Sequence, residues 1–91
     1  MSGFEDYQEE FAKLDAEIAH YVAICALPVE APADRVDIEA LLRKNPGKNG
    51  QQQARETLQA LLILRINLET EAIEQGHQPP ELIIKPHPKN N

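Results

Sequence analysis

The amino-acid sequence predicts an all-α fold, in which an antiparallel hairpin of two long helices carries a short third helix and dimerises into a helical bundle. Three observations indicate this fold. Apolar residues recur at steps of three and four along two long segments, and stretches rich in proline or glycine separate the segments. The chain of 91 residues has no Trp, two Phe and two Tyr, so its core must come from Leu, Ile, Val and Ala.

The first helix is predicted from Phe4 to Leu27. Ser2 and Glu5 have the spacing of a capping box, in which each side chain accepts a backbone N–H of the other residue. Pro28 disfavours helical geometry at Leu27 and so ends the helix. One apolar seam follows this helix, made of Phe4, Tyr7, Phe11, Leu14, Ile18, Tyr21 and Cys25.

Two further helices are predicted beyond a linker over residues 28–33, whose prolines hold the chain extended. Asp34 is the expected N-cap of a short helix that ends at Lys44. A turn over residues 45–50 leads to a long helix from Gln51 to Gln75, and Gly76 is its expected C′ residue. The linker and the turn are long enough to reverse the chain, which predicts that the two long helices are antiparallel.

We divide the chain into a helical domain, residues 1–78, and a proline-rich tail, residues 79–91. The tail contains an apolar triplet, Leu82 to Ile84, between Pro80 and Pro86. Such a triplet packs on the parent domain, extends a sheet edge or docks on a partner. Packing or disorder is the interpretation we favour.

The third helix has more apolar surface than one neighbouring helix covers. From Leu61 to Ile66 five of six positions are apolar, whereas a helix that faces one partner needs about three in seven. A second copy of the chain would cover the surplus, as in other helical hairpins that cannot close a core alone. We therefore expect a homodimer or protein-partner interface on this helix, at Leu58, Leu61, Leu62, Ile63, Ile66 and Ile73.

Composition and charge argue against several classes of protein. The net charge of −6 repels nucleic-acid phosphates and anionic membranes. No stretch approaches the roughly 20 apolar residues that span a bilayer, and the acidic N-terminus lacks the features of a signal peptide. The single cysteine, Cys25, has no disulfide partner within the chain. We expect a protein of the cytoplasm that does not bind membranes.

Catalytic and metal sites have little support in the sequence. Cys25 lies on the apolar seam near a helix C-terminus, where the helix dipole disfavours a thiolate, so we expect a buried structural residue. Glu17 with His20, and Glu74 with His77, have the Glu-x-x-His spacing of di-iron bundles. The first pair flanks the seam and His77 follows Gly76, so we predict no metal, no cofactor and no enzymatic activity.

Two nucleic-acid-related alternatives remain open at this point. A basic cluster around the turn, comprising Arg43, Lys44, Lys48 and Arg55, could contact phosphates if the chain is a nucleic-acid-binding regulator. Conversely, residues 1–27 carry six acids and one base, a line of charge that could imitate a nucleic acid. The hypothesis we prefer is a non-catalytic protein-interaction module: a small adaptor, regulator or inhibitor that acts through an apolar helical face.

Overall fold

The computed structural model describes residues 4–47 and 50–86 and contains three helices, α1 (Phe4–Ile24), α2 (Arg35–Lys44) and α3 (Gln52–Glu74). The all-α prediction is confirmed, since these ranges contain no strand and only one isolated bridge, between Ala33 and Ile84. Two expectations concern parts of the chain outside this description. They are the Ser2–Glu5 capping box and the packing of the Phe4 side chain.

The contacts between α1 and α3 run in opposite order along the two helices. Near the start of α1, the Tyr7 hydroxyl donates to Glu71 Oε1 at 3.3 Å. At the other end, the amide of Gln51, just before α3, donates to the carbonyl of Ile24 at 3.5 Å. Each end of one helix therefore lies beside the opposite end of the other.

The core is formed by residues of the second half of α1, of α2 and of the first half of α3. Asp34 caps α2 as predicted: its side chain accepts the N–H of Asp37, and the Asp37 side chain accepts the N–H of Asp34. The structure is only 18 Å across its shortest axis, about two helix diameters. The buried core side chains are Ile18, Val22, Cys25, Leu27, Val29, Ala33, Ile38, Leu42, Leu58, Leu62, Leu82 and Ile84.

The linker and the tail belong to this core. Ala33 and Ile84 exchange two backbone hydrogen bonds, of 2.9 and 2.8 Å. Leu82 and Ile84 face inward, and Ile83 between them is half exposed, which is the alternation that an extended segment produces. Of the alternatives for the apolar triplet, packing on the parent domain is therefore the one observed.

Arg65 of α3 is the one buried charged side chain of the described residues, with 0% of its surface exposed. Its Nε and Nη2 atoms donate to both carboxylate oxygens of Asp15 on α1, at 2.8 and 3.1 Å. Nη1 donates to Glu69 one turn along α3, and Nη2 donates to the carbonyl of Pro80 at 2.9 Å. The guanidinium also lies 4.8 Å from the centre of the Phe11 ring. Arg65 thus joins α1, α3 and the tail.

The charge of Arg65 is retained despite burial. Burial alone would lower its pKa, but the hydrogen bonds and negative charges of Asp15 and Glu69 outweigh that effect, so that the pKa is raised. No buried side-chain nitrogen or oxygen in the described ranges lacks a hydrogen-bond partner. Each of the three guanidinium nitrogens has an acceptor, and such pairing is the condition under which a buried charge is tolerated.

Both long helices end in the same backbone motif, and for α1 this corrects the sequence prediction. The helix was expected to continue to Leu27, but it ends at Ile24 because Ala26 adopts a left-handed conformation, with φ of 53°. The N–H groups of Ala26 and Leu27 then bond the carbonyls of Ala23 and Val22, which forms a Schellman motif.

The α3 motif follows the predicted pattern. Gly76, with φ of 84°, is the left-handed residue, and its N–H and that of His77 bond the carbonyls of Ile73 and Ala72. Glycine adopts this conformation without steric cost, whereas alanine at the equivalent place in α1 is strained by about 1 kcal/mol.

These two helix ends give a reciprocal test. Ala26→Gly should raise the free energy of unfolding by about 0.5–1 kcal/mol because it relieves a left-handed alanine, and Gly76→Ala should lower it by about 1 kcal/mol or more. Urea denaturation followed by circular dichroism measures both. Equal destabilisation by the two substitutions would contradict the backbone geometry at Ala26.

Removing the Arg65 charge tests the ion-pair network. Arg65→Met keeps an apolar stem but leaves Asp15 and Glu69 facing each other without a cation. We expect a loss of about 3 kcal/mol, the lower end of the range for breaking a buried pair, because both carboxylates keep 26% exposure to water. Chemical denaturation measures the loss.

Arg65→Lys is the matched control for the same position. It keeps the charge but cannot donate to both oxygens of one carboxylate, so its stability should fall between those of Arg65→Met and the unsubstituted chain. If Arg65→Met is as stable as the unsubstituted chain, the network does not hold the helices together.

Candidate interaction surface

The residues predicted to form an interface separate into two groups in the structure. Leu58 and Leu62 are buried in the chain's own core, where they meet α1 and α2, and Leu61 is half buried against the same core. Ile63, Ile66 and Ile73 are exposed by 59%, 36% and 61%. The three predicted leucines thus pack within the chain itself. Of the six predicted interface residues, only the three isoleucines are accessible to a second molecule.

Ile63, Ile66 and Ile73 form a stripe along one flank of α3, here called the isoleucine stripe. At 3.6 residues per turn the three positions fall within an arc of about 80°, and the first and last lie about 15 Å apart along the helix. The stripe adjoins the α2 side of α3, because Ile63 lines a shallow depression with Glu39, Leu42 and Arg43 of α2.

At its Ile63 end the isoleucine stripe has neutral surroundings, because Glu39 and Arg43 beside Ile63 have opposite charges. Gln59 and Thr70 share the flank of α3 that carries the stripe, and the Thr70 hydroxyl donates to the carbonyl of Ile66 at 3.0 Å. The other end of the stripe lies near two acids, because Glu69 is four residues before Ile73 and Glu74 directly follows it.

The basic cluster is only partly accessible. Arg43 and Lys44 are exposed in the last turn of α2, where cations are favourable beside the helix C-terminus. Arg55 is half buried, and its Nη2 donates to the carbonyl of Leu42 at 2.6 Å. Lys48 lies outside the described residues. Arg55 of α3 is therefore bonded to the backbone of α2 and holds the two helices together.

Cys25 is buried in the core, as expected, and desolvation raises the pKa of its thiol although the charge of Arg55 opposes the shift. A thiol with a raised pKa is a weak nucleophile at neutral pH.

The Glu-x-x-His spacings do not assemble a ligand set. Glu17 and His20 are exposed on α1. His77 lies beyond the end of α3, with its ring centre 5.5 Å from that of Tyr7. Within residues 4–47 and 50–86, no three His, Cys, Asp or Glu side chains are grouped closely enough to hold a metal ion.

Two residues of the buried ion-pair network, Arg65 and Asp15, were not predicted from the sequence. Arg65 was the one polar residue in the run from Leu61 to Ile66, and Glu69 four residues later was a signal that it is paired. Asp15 directly follows Leu14 of the apolar seam, which indicated a place near the helix contact but not the partner; in the structure it is half buried against Arg65. Asp15 is therefore not one of the exposed acids of α1 that could imitate a nucleic acid.

None of the described helices is long and apolar enough to cross a membrane. Comparison of the chain with protein-family models, with curated proteins and with solved structures found no match.

Proposed function

We propose that the chain is a non-catalytic protein-interaction module, a helical hairpin that pairs with a second copy of itself through the isoleucine stripe. One observation carries the proposal: Ile63, Ile66 and Ile73 lie on one flank of a well-packed helix, with Ile63 and Ile73 mostly exposed and Ile66 exposed by about a third. Large apolar side chains exposed together, and not singly, are typical of interaction surfaces.

A second copy suits this surface for geometric and electrostatic reasons. In a two-fold dimer the same patch faces itself, so the patch must be self-complementary. The uncharged side chains of Gln59 and Thr70, on the same flank of α3 as the three isoleucines, meet that requirement.

The pairing is expected to be concentration-dependent, because only three partly exposed isoleucines of each copy contribute apolar surface to it.

The proposal includes no catalytic step and does not extend to nucleic acid. Cys25 is buried, and Arg55 of the basic cluster is bonded to the backbone of α2. The chain's net charge of −6 opposes contact with phosphates. An adaptor, regulator or inhibitor that works as a dimer is the class of function that these observations support.

Charge placed on the stripe should abolish self-association. Ile63→Glu combined with Ile73→Glu introduces two carboxylates into a face that meets its own copy, where unpaired charge is costly. The expected result is a monomer at concentrations where the unsubstituted chain dimerises, measured by sedimentation equilibrium over a series of concentrations. Both positions are exposed, so helicity should be unchanged.

The matched control adds the same charge elsewhere. Ile24→Glu with Leu64→Glu also replaces two exposed apolar residues, at 43% and 53% exposure, but both lie off the stripe, and this variant should still dimerise. A chain that remains monomeric at every concentration, or a control variant that dissociates equally, would show that the stripe is not a dimer interface.

A further inference from the structure

A second apolar surface lies on the opposite flank of α3, in a groove between α3 and α1. Leu14, Leu64 and Leu68 form its floor, and Leu64 is 53% exposed. All of its lining residues belong to α1 or α3, so neither α2 nor the described part of the tail, residues 79–86, lines it. By helical geometry Leu64 and Leu68 are displaced roughly 160° around α3 from the centre of the isoleucine stripe. The groove is therefore separate from the proposed dimer interface.

The rim of the groove is acidic, unlike the depression beside Ile63. Glu10 and Glu17 on α1, and Glu71 on α3, stand around the leucines, with Lys13 as the one cation and Asn67 as a neutral member. The three carboxylates and one ammonium leave the rim with a net charge of −2.

The acidic rim continues toward the start of α1. There a shallow depression that shares Glu10, Lys13 and Glu71 with the groove is lined also by Asp6, Tyr7 and Glu9. Lys13 approaches Glu9 at 3.6 Å, but both side chains are mostly exposed to water, so this pair is weak. Five carboxylates against one ammonium give the combined surface a net charge of −4.

We propose that this groove binds a basic amphipathic helix of a partner protein. Leucine side chains between two helices form a hydrophobic groove that a third helix fills with apolar residues spaced at i, i+3 or i+4, and i+7. The carboxylates along the rim select lysine and arginine on the borders of that apolar face. From Asp6 to Glu17 the surface extends about 16 Å, or three helical turns.

Charge also excludes a second copy of this chain from pairing groove to groove. Two such grooves would bring their carboxylates together, and like charges across an interface cost several kcal/mol. The basic-helix proposal does not depend on the dimer, because the two surfaces lie on different flanks of α3.

The test uses a fluorescently labelled synthetic peptide of about four helical turns, with leucine at i, i+3, i+7 and i+10 and lysine or arginine at the flanking positions. Two control peptides have glutamate in place of every basic residue, or the same composition in scrambled order. Fluorescence anisotropy with the full chain should show binding of the basic peptide alone, weakening as salt is raised. Equal binding of the basic and acidic peptides, or no binding of either, would overturn the proposal.

Adjacent residues of α3 supply a matched pair of variants. Leu64→Ser removes part of the groove floor and Ile63→Ser removes part of the stripe, at 53% and 59% exposure respectively. Leu64→Ser should weaken peptide binding about tenfold, the loss expected for one contacting leucine. Ile63→Ser should leave it unchanged. If Ile63→Ser weakens binding as much, the peptide does not sit in the groove.

A further variant tests the charge without altering the floor. Glu10→Gln with Glu17→Gln removes two exposed carboxylates from α1 and should reduce affinity about tenfold at low salt, with a smaller reduction at high salt. Unchanged affinity at low salt would show that the rim does not select basic partners.

Discussion

The ion-pair network of Arg65 is the interaction on which the arrangement of the chain depends. A guanidinium with no exposed surface must be paired on every side, and its partners come from three separate parts of the chain: Asp15 of α1, Glu69 of α3 itself and the carbonyl of Pro80 in the tail. Sliding α1 along α3 by one turn would separate Asp15 from Arg65 and remove two of the four hydrogen bonds of a buried guanidinium. Apolar contacts along two leucine-rich helices tolerate such a shift far better, because one leucine can replace another. The network therefore fixes which residues of α1 and α3 face each other.

With the register fixed, the apolar perimeter of α3 divides into three faces. Leu58, Leu62 and Ala72 point into the core with Arg65. The isoleucine stripe lies on one flank, with neutral surroundings at its Ile63 end, and Leu64 and Leu68 lie on the other flank beside the carboxylates of α1 and Glu71. The residues that the structure describes are only two helices thick, so they supply no further layer over either flank. The dense acidic rim of the groove is what distinguishes it, as a surface suited to a basic partner, from the stripe.

Local signals in the sequence predicted the helices well, and nonlocal contacts limited the rest. Asp34 and Gly76 determine the start of α2 and the end of α3 through hydrogen bonds within a few residues, so their effects could be read directly. The early end of α1 depends on Ala26 in a left-handed conformation that alanine rarely adopts, and no local pattern indicates it. The surplus of apolar residues on α3 was evident, but which of them face a partner depends on where α2 crosses. Leu58 and Leu62 could thus not be distinguished from Ile63 and Ile66. The pairing of Arg65 with Asp15 joins residues 50 positions apart, beyond the reach of periodicity.

The central claim is that the isoleucine stripe meets its own copy, and filtered nuclear Overhauser spectroscopy tests this most directly. In a sample that mixes isotope-labelled and unlabelled chains, only contacts between two molecules give a signal. The account predicts intermolecular contacts from the methyl groups of Ile63, Ile66 and Ile73, and none from Leu14 or Leu68. Intermolecular contacts from the leucines of the groove, or none from any methyl group at concentrations that saturate association, would contradict it.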